Sequence, residues 1–138
     1  MNLNEAQGAL QLWGGEELLL PRIQVADRFL RRSLGLMGRR DIPEDWGAGL
    51  FFPHCRSLHG AWMRFPLEVW FLDAEGQPLG GPRTLSPWGM LWGPRESRHC
   101  MEIRPGLFQP PATGRWEWRI CPPDPTELKS SGRSVVWK

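Results

Sequence analysis

The sequence is poor in most of the features that announce a function. It holds three cysteines, Cys55, Cys100 and Cys121, an odd number with no Cys-x-x-Cys pair. A disulfide framework is therefore excluded, and a reducing, cytoplasmic setting is expected. No apolar run approaches the roughly 20 residues that cross a bilayer as a helix, so no membrane partner is expected. The opening Met1-Asn-Leu-Asn-Glu5 has neither a basic nor an apolar region and does not read as a secretion signal. Lysine is nearly missing, with two residues against fifteen arginines, so arginine carries the net charge of +2. Alanine- or leucine-rich helical stretches, internal repeats and dividing linkers are missing too. The 138 residues therefore read as one domain, 1–138, long enough to bury roughly two-thirds of its unfolded surface.

What is present is glycine (16), proline (14) and tryptophan (9). That composition favours short strands, many turns and large apolar side chains. The strongest single feature is the run from Leu58 to Asp73. Within it, Leu67, Val69 and Phe71 alternate with Trp70 and Leu72, so both faces are apolar and the strand should be central and covered on both sides. Glu68 falls on the Trp70/Leu72 face. A carboxylate buried there costs about several kcal/mol unless it is paired or reached by water.

Leu10–Trp13 and Leu18–Val25 read as strands joined at Gly14-Gly15, with Pro21 marking an edge or irregular position. Asp27 as N-cap, Phe29, Leu30 and Leu34 on one face and Gly35 past the end spell one short helix. Gly49–Phe52 is a short strand, and Asp73–Gly76 is a hairpin-type turn returning the chain antiparallel through Gln77 to Leu85. Residues 86–95 read as a loop with aromatic anchors, and His99–Ile103 as another short strand. Arg115–Ile120 alternates cleanly, placing Trp116, Trp118 and Ile120 inward. Beyond Cys121 comes a polar tail whose Val135-Val136-Trp137 could pair at an edge. The fold class is mainly β, a compact antiparallel barrel or sandwich with one or two short helices.

Several of these residues fall into a known pattern. Arg32-x-x-Gly35-Leu36-Met37-x-Arg39, then Gly49-Leu50-Phe51-Phe52, then His59-x-x-x-Met63-Arg64-Phe65-Pro66-Leu67-Glu68-Val69-x-Phe71-Leu72-Asp73 resembles the bacterial and archaeal family called domain of unknown function 192 (DUF192). Glu102-Ile103-x-x-Gly106 is similar to its closing segment. The resemblance spans about residues 10–106, leaving 107–138 as an extension. It implies a small, mostly antiparallel β fold with a short helix, and no activity. Glu68 stands where the family usually has aspartate, and Gly60-Ala61-Trp62 replaces a Thr-Phe type of pair.

Four groups of residues could carry function. His59, Met63, Arg64 and Glu68 either line a polar–aromatic pocket for a small molecule, or Glu68 pairs with Arg64 or an arginine of the 28–39 cluster as a structural ion pair. His54-Cys55, His59 and His99-Cys100 offer zinc ligands, but adjacent residues of a strand face opposite ways, so buried free cysteines and surface histidines are the simpler reading. Arg22, Arg28, Arg31, Arg32, Arg39 and Arg40 form a basic cluster without interleaved aromatics, which disfavours nucleic acid. Trp88 and Trp92, beside Pro87 and Pro94, are either a recognition surface or a lid folded onto the fold.

The sequence thus points to a non-enzymatic binding or interaction module. Its candidate ligand-binding residues are His59, Met63, Arg64, Glu68 and Trp88, with a small molecule or protein as partner and no cofactor. The alternatives are a small hydrolase-like enzyme using His59 as base and Glu68 as orienter, or a zinc-binding protein.

Overall fold

The computed structural model describes residues 2–26, 41–43, 46–61, 63–107, 109–110 and 114–122. The helix expected from Asp27 to Gly35, the arginines between 28 and 40 and the tail strand at 135–137 lie outside them. Among the described residues the strands are β1 (Ala9–Gly14), β2 (Glu17–Val25), β3 (Gly49–Phe52), β4 (Ser57–His59), β5 (Leu67–Leu72), β6 (Arg83–Leu85), β7 (Met90–Trp92), β8 (His99–Ile103) and β9 (Trp116–Ile120). Seven form one mixed sheet in the order β6-β5-β8-β3-β2-β1-β9, and β4 and β7 form a separate two-stranded ribbon. Within the large sheet only β2 and β3 run parallel.

The β1–β2 hairpin forms at the expected glycines, and Pro21 finds the irregular place its missing N–H requires. Leu10 faces Ile23 but Leu12 faces Leu20, so β2 carries one extra residue through Pro21 and Arg22. A bulge removes the ladder bond that proline cannot make. Further along, Gly49 opens β3 beside β8 so closely that a Cβ there would collide with the Glu102 carbonyl oxygen.

The sheet curls over its first apolar face without closing into a barrel, giving a sandwich-like fold. That face gathers Leu10, Leu12, Leu20, Ile23, Phe51, Trp70, Leu72, Met101, Ile103, Trp116 and Trp118. Strands that are not neighbours in the sheet meet across it: the rings of Trp70 on β5 and Trp116 on β9 lie 5.2 Å apart, and those of Phe51 on β3 and Trp118 on β9 5.0 Å apart. Gln77, just past the Asp73–Gly76 turn, completes the seam. Its Nε2 donates to the Trp116 carbonyl at 2.7 Å and its Oε1 accepts from the Trp116 N–H at 2.9 Å, standing in for a neighbouring strand. Trp116 and Trp118 point inward as their alternation predicts. Ile120, expected beside them, is instead 68% exposed, although its strand is still paired there with Leu10 of β1.

The second apolar face, behind β3, β5 and β8, holds Leu50, Cys55, Leu58, Met63, Leu67, Val69, Phe71, Leu85 and Cys100. The β4–β7 ribbon covers it, with Leu91 packed against the cluster. β5 is covered on both faces as expected, but lies next to the short edge strand β6 rather than at the centre. The most enclosed strand is β8, in which all five residues are buried.

Candidate functional site

The ribbon is built by simple alternation. Leu58 and Leu91 pair across it and turn toward the core, so Ser57, His59, Met90 and Trp92 turn outward. Residues 86–95, expected as loop, thus contain β7. The turn leading into it is Ser86-Pro87-Trp88-Gly89, closed by the Gly89 N–H donating to the Ser86 carbonyl at 2.8 Å. Proline at the second position and φ of 66° at Trp88 are the marks of a type II turn, whose third position favours glycine. Here a tryptophan occupies it, in a backbone region that costs a non-glycine residue about 1–2 kcal/mol. The conformation is held by the Trp88 N–H donating to the Gly60 carbonyl at 2.7 Å. Gly60 has no room for a side chain, since a Cβ would collide with the Ser86 carbonyl oxygen. The outcome is a surface row of Trp88, Met90 and Trp92, exposed by 62%, 53% and 62%. The tryptophans do not fold back as a lid.

Arginines gather at the Trp92 end of this row. Arg56 Nη2 donates to the Arg95 carbonyl at 3.1 Å, and Arg98 Nη1 to the carbonyls of Arg95 (3.2 Å) and Ser97 (2.9 Å). Arg83 Nη1 donates to the Trp92 carbonyl at 2.7 Å. These contacts place the guanidiniums against neutral carbonyls. Among the described residues, none of Arg56, Arg64, Arg83, Arg95 and Arg98 pairs with a carboxylate; the ion pairs sit elsewhere, at Arg104–Asp41, Arg115–Glu75 and Arg119–Glu117. Over residues 54–66 and 83–98, Glu96 is the sole acidic residue.

The candidate ligand-binding residues fall in different places. His59 is exposed on the outer face of the ribbon, its Nδ1 accepting the Ala61 N–H at 3.4 Å. Trp88 belongs to the exposed row, and Arg64 is exposed in the loop before β5. Met63 is buried beneath, in the second apolar cluster. Glu68 lies on the far face of β5, where its Oε2 accepts from Trp70 Nε1 at 2.9 Å and its Oε1 from the Gly106 N–H at 3.4 Å. No arginine pairs with it among the described residues. The layer formed by β5 and the ribbon separates Glu68 from His59, so the structure does not bring these two together.

The buried carboxyl that the composition of β5 suggested at Glu68 is instead Glu102. Its backbone lies between Leu50 of β3 and Val69 of β5, and its side chain is 5% exposed on the face of β8 that also carries Cys100. No hydrogen-bond or ion-pair partner reaches the carboxyl among the described residues. Burial, and secondarily the proximity of Cys55, push its pKa up to about 8. The sequence signal was available, since Cys100 and Glu102 alternate with Met101 and Ile103 in a strand without a polar face.

His99, expected at the surface, is fully buried against the Phe51 ring at 5.6 Å. Its Nδ1 accepts the His54 backbone N–H at 3.2 Å, which leaves the proton of the neutral ring on the buried Nε2. Burial, with His54 nearby, lowers its pKa. Cys55 Sγ donates to the Ser57 carbonyl and Cys100 Sγ to the Cys55 carbonyl, and His54 is exposed. Among the described residues no three His, Cys, Asp or Glu side chains converge to hold a metal.

Against known proteins, the family model described as "Uncharacterized ACR, COG1430" (DUF192) matches residues 12–112, most of the chain. The protein belongs to the DUF192 family. The matched segment contains β2 to β8 and with them the whole ribbon, whereas β9 lies beyond it. This DUF192 chain therefore adds an edge strand to β1 outside the family segment. It is also similar to a crystal structure of a protein of unknown function from Novosphingobium aromaticivorans DSM 12444, with a TM-score of 0.59 at 14% identity over 81% of this chain and 84% of that one. At that identity the likeness concerns the fold. No curated protein matches the chain. No helix among the described residues is long and apolar enough to cross a membrane.

Proposed function

We propose that this DUF192 protein is a binding or interaction module whose contact face is the outer side of the β4–β7 ribbon. His59 and Trp88 form part of that face, with Arg64 at its margin and Met63 supporting it from the core. Glu68, on the far side of β5, acts there as the acceptor that fixes Trp70. The observation that carries the reading is Trp88 itself. A large aromatic side chain occupies a turn position suited to glycine, and the turn holds it 62% exposed beside Met90 and Trp92. Strained backbone persists where the surrounding structure enforces it, and such positions concentrate at functional sites. A contiguous apolar row on a small protein marks a contact surface.

The test places a photo-crosslinking benzophenone amino acid at Met90, and separately at exposed Glu16 as a control, and irradiates the protein in cells of its source organism. A discrete adduct from position 90 that position 16 does not give supports the module. Equal labelling at both positions, or none, removes it.

A further inference from the structure

We infer that the occupant of the ribbon face is an acidic protein surface, an apolar knob ringed by aspartate or glutamate. This rests on the ribbon being the contact face and goes further by naming the chemistry of the partner. The centre of the face is Trp88, Met90 and Trp92, and its margin is Arg56, Arg83, Arg95 and Arg98, with Arg64 toward the Trp88 end. Tryptophan, methionine and arginine are the side chains over-represented in protein–protein interfaces, whereas lysine and glutamate are depleted. The three exposed side chains supply roughly 400 Å² of surface, about half of what a standard-sized interface takes from each partner.

Charge fixes the sign of the partner. Arg56, Arg83 and Arg98 at the Trp92 end donate to main-chain carbonyls, and among the described residues no carboxylate pairs with them or with Arg95. A guanidinium whose local bonds go to carbonyl oxygens keeps further N–H donors in the same plane for a bidentate carboxylate. A partner rich in lysine or arginine would meet uncompensated like charge, while a neutral one would leave that charge unanswered at the rim. The bonds from Arg56, Arg98 and Arg83 also hold these side chains near the Trp92 end before any partner arrives, which lowers the ordering cost of association.

The test selects a random-sequence peptide display library on the wild-type protein, with counter-selection on the Trp92→Ala variant, after circular dichroism has shown that both melt alike. Recovered peptides should carry aspartate or glutamate around an aromatic or leucine residue. Resynthesised, they should lose about tenfold or more in affinity on Trp92→Ala and on Arg95→Glu, and weaken as salt rises and screens the rim. Recovery of peptides without an acidic excess, or of none that distinguish the two proteins, overturns the inference. So does an oligothymidine probe that binds more tightly than the peptides and is lost on Trp92→Ala, which would assign the face to single-stranded nucleic acid. The crosslink at position 90 separates the two levels. An adduct there without acidic peptides keeps the contact face and discards the acidic partner, whereas failure of both discards both.

Discussion

Replacing Glu102 with glutamine should change how stability depends on pH. The carboxyl has a pKa of about 8 in the fold against 4.5 for an ordinary glutamate. Below about pH 4.5 the folded and unfolded chains both hold the proton, and the group adds no penalty. Between 4.5 and about 8 the unfolded chain releases it while the folded chain keeps it, so stability falls as pH rises. One unit is worth about 1.4 kcal/mol, giving a full swing of about 5 kcal/mol, of which about 3 is lost by neutral pH. Glutamine has no proton to release and abolishes this slope. His99 works in the opposite sense: its lowered pKa makes stability fall as pH drops below 6.5. It is common to both proteins and cancels in the comparison. The assay is urea unfolding followed by tryptophan fluorescence at several pH values from about 5 to about 8, with the difference between variant and wild type plotted against pH. A difference that climbs by at least about 2 kcal/mol across that range supports the buried acid. Parallel curves refute it, because Glu102 would then be ionised and compensated in the fold.

Other outcomes follow from particular contacts. Gln77→Ala removes the two side-chain bonds to the Trp116 main chain; it should cost about 2 kcal/mol in urea unfolding and speed amide exchange in β9 ahead of β8. Gly60→Ala drives a Cβ into the Ser86 carbonyl and should cost about 2 kcal/mol or more, while Gly80→Ala, where a Cβ meets open space but φ is 82°, should cost about 1 kcal/mol; equal losses in a thermal melt would refute the steric account. The His99 Cε1 proton shift, followed against pH by nuclear magnetic resonance, should titrate below the ordinary histidine value of 6.5, and a midpoint at or above that value would contradict its burial.

Much of the fold was legible because alternation is a local signal. Leu67–Leu72, Trp116–Trp118 and the hairpin at Gly15 needed only a count of apolar spacing and a turn residue. The same logic reached too far at Ile120, since the face of a residue is local but what covers that face comes from distant parts of the chain. It also misplaced the buried acid. Glu68 and Glu102 both interrupt apolar strands, and what separates them is a neighbour: Trp70 offers an indole N–H to one, while the other has Leu50 and Val69 beside it. The candidate site was legible in part. Trp88 and His59 share a surface because two distant three-residue strands pair. The arginines at 56, 83, 95 and 98 are scattered in sequence and become neighbours only when β4 and β7 pair, whereas the arginines between 22 and 40 are already dense in the sequence.

The pairing of β1 with β9 sets the order in which the molecule can be finished. Leu10 and Ile120 are partners 110 positions apart, so β1, the earliest of the described strands, waits for β9, the last of them. Until then the β1–β2 hairpin carries an unpaired edge and the indole-rich interior lacks Trp116 and Trp118, the state in which a nascent chain is most open to pairing with a stranger. A chain stopped before Trp116 would keep every residue of the ribbon and still be unable to shut the sheet.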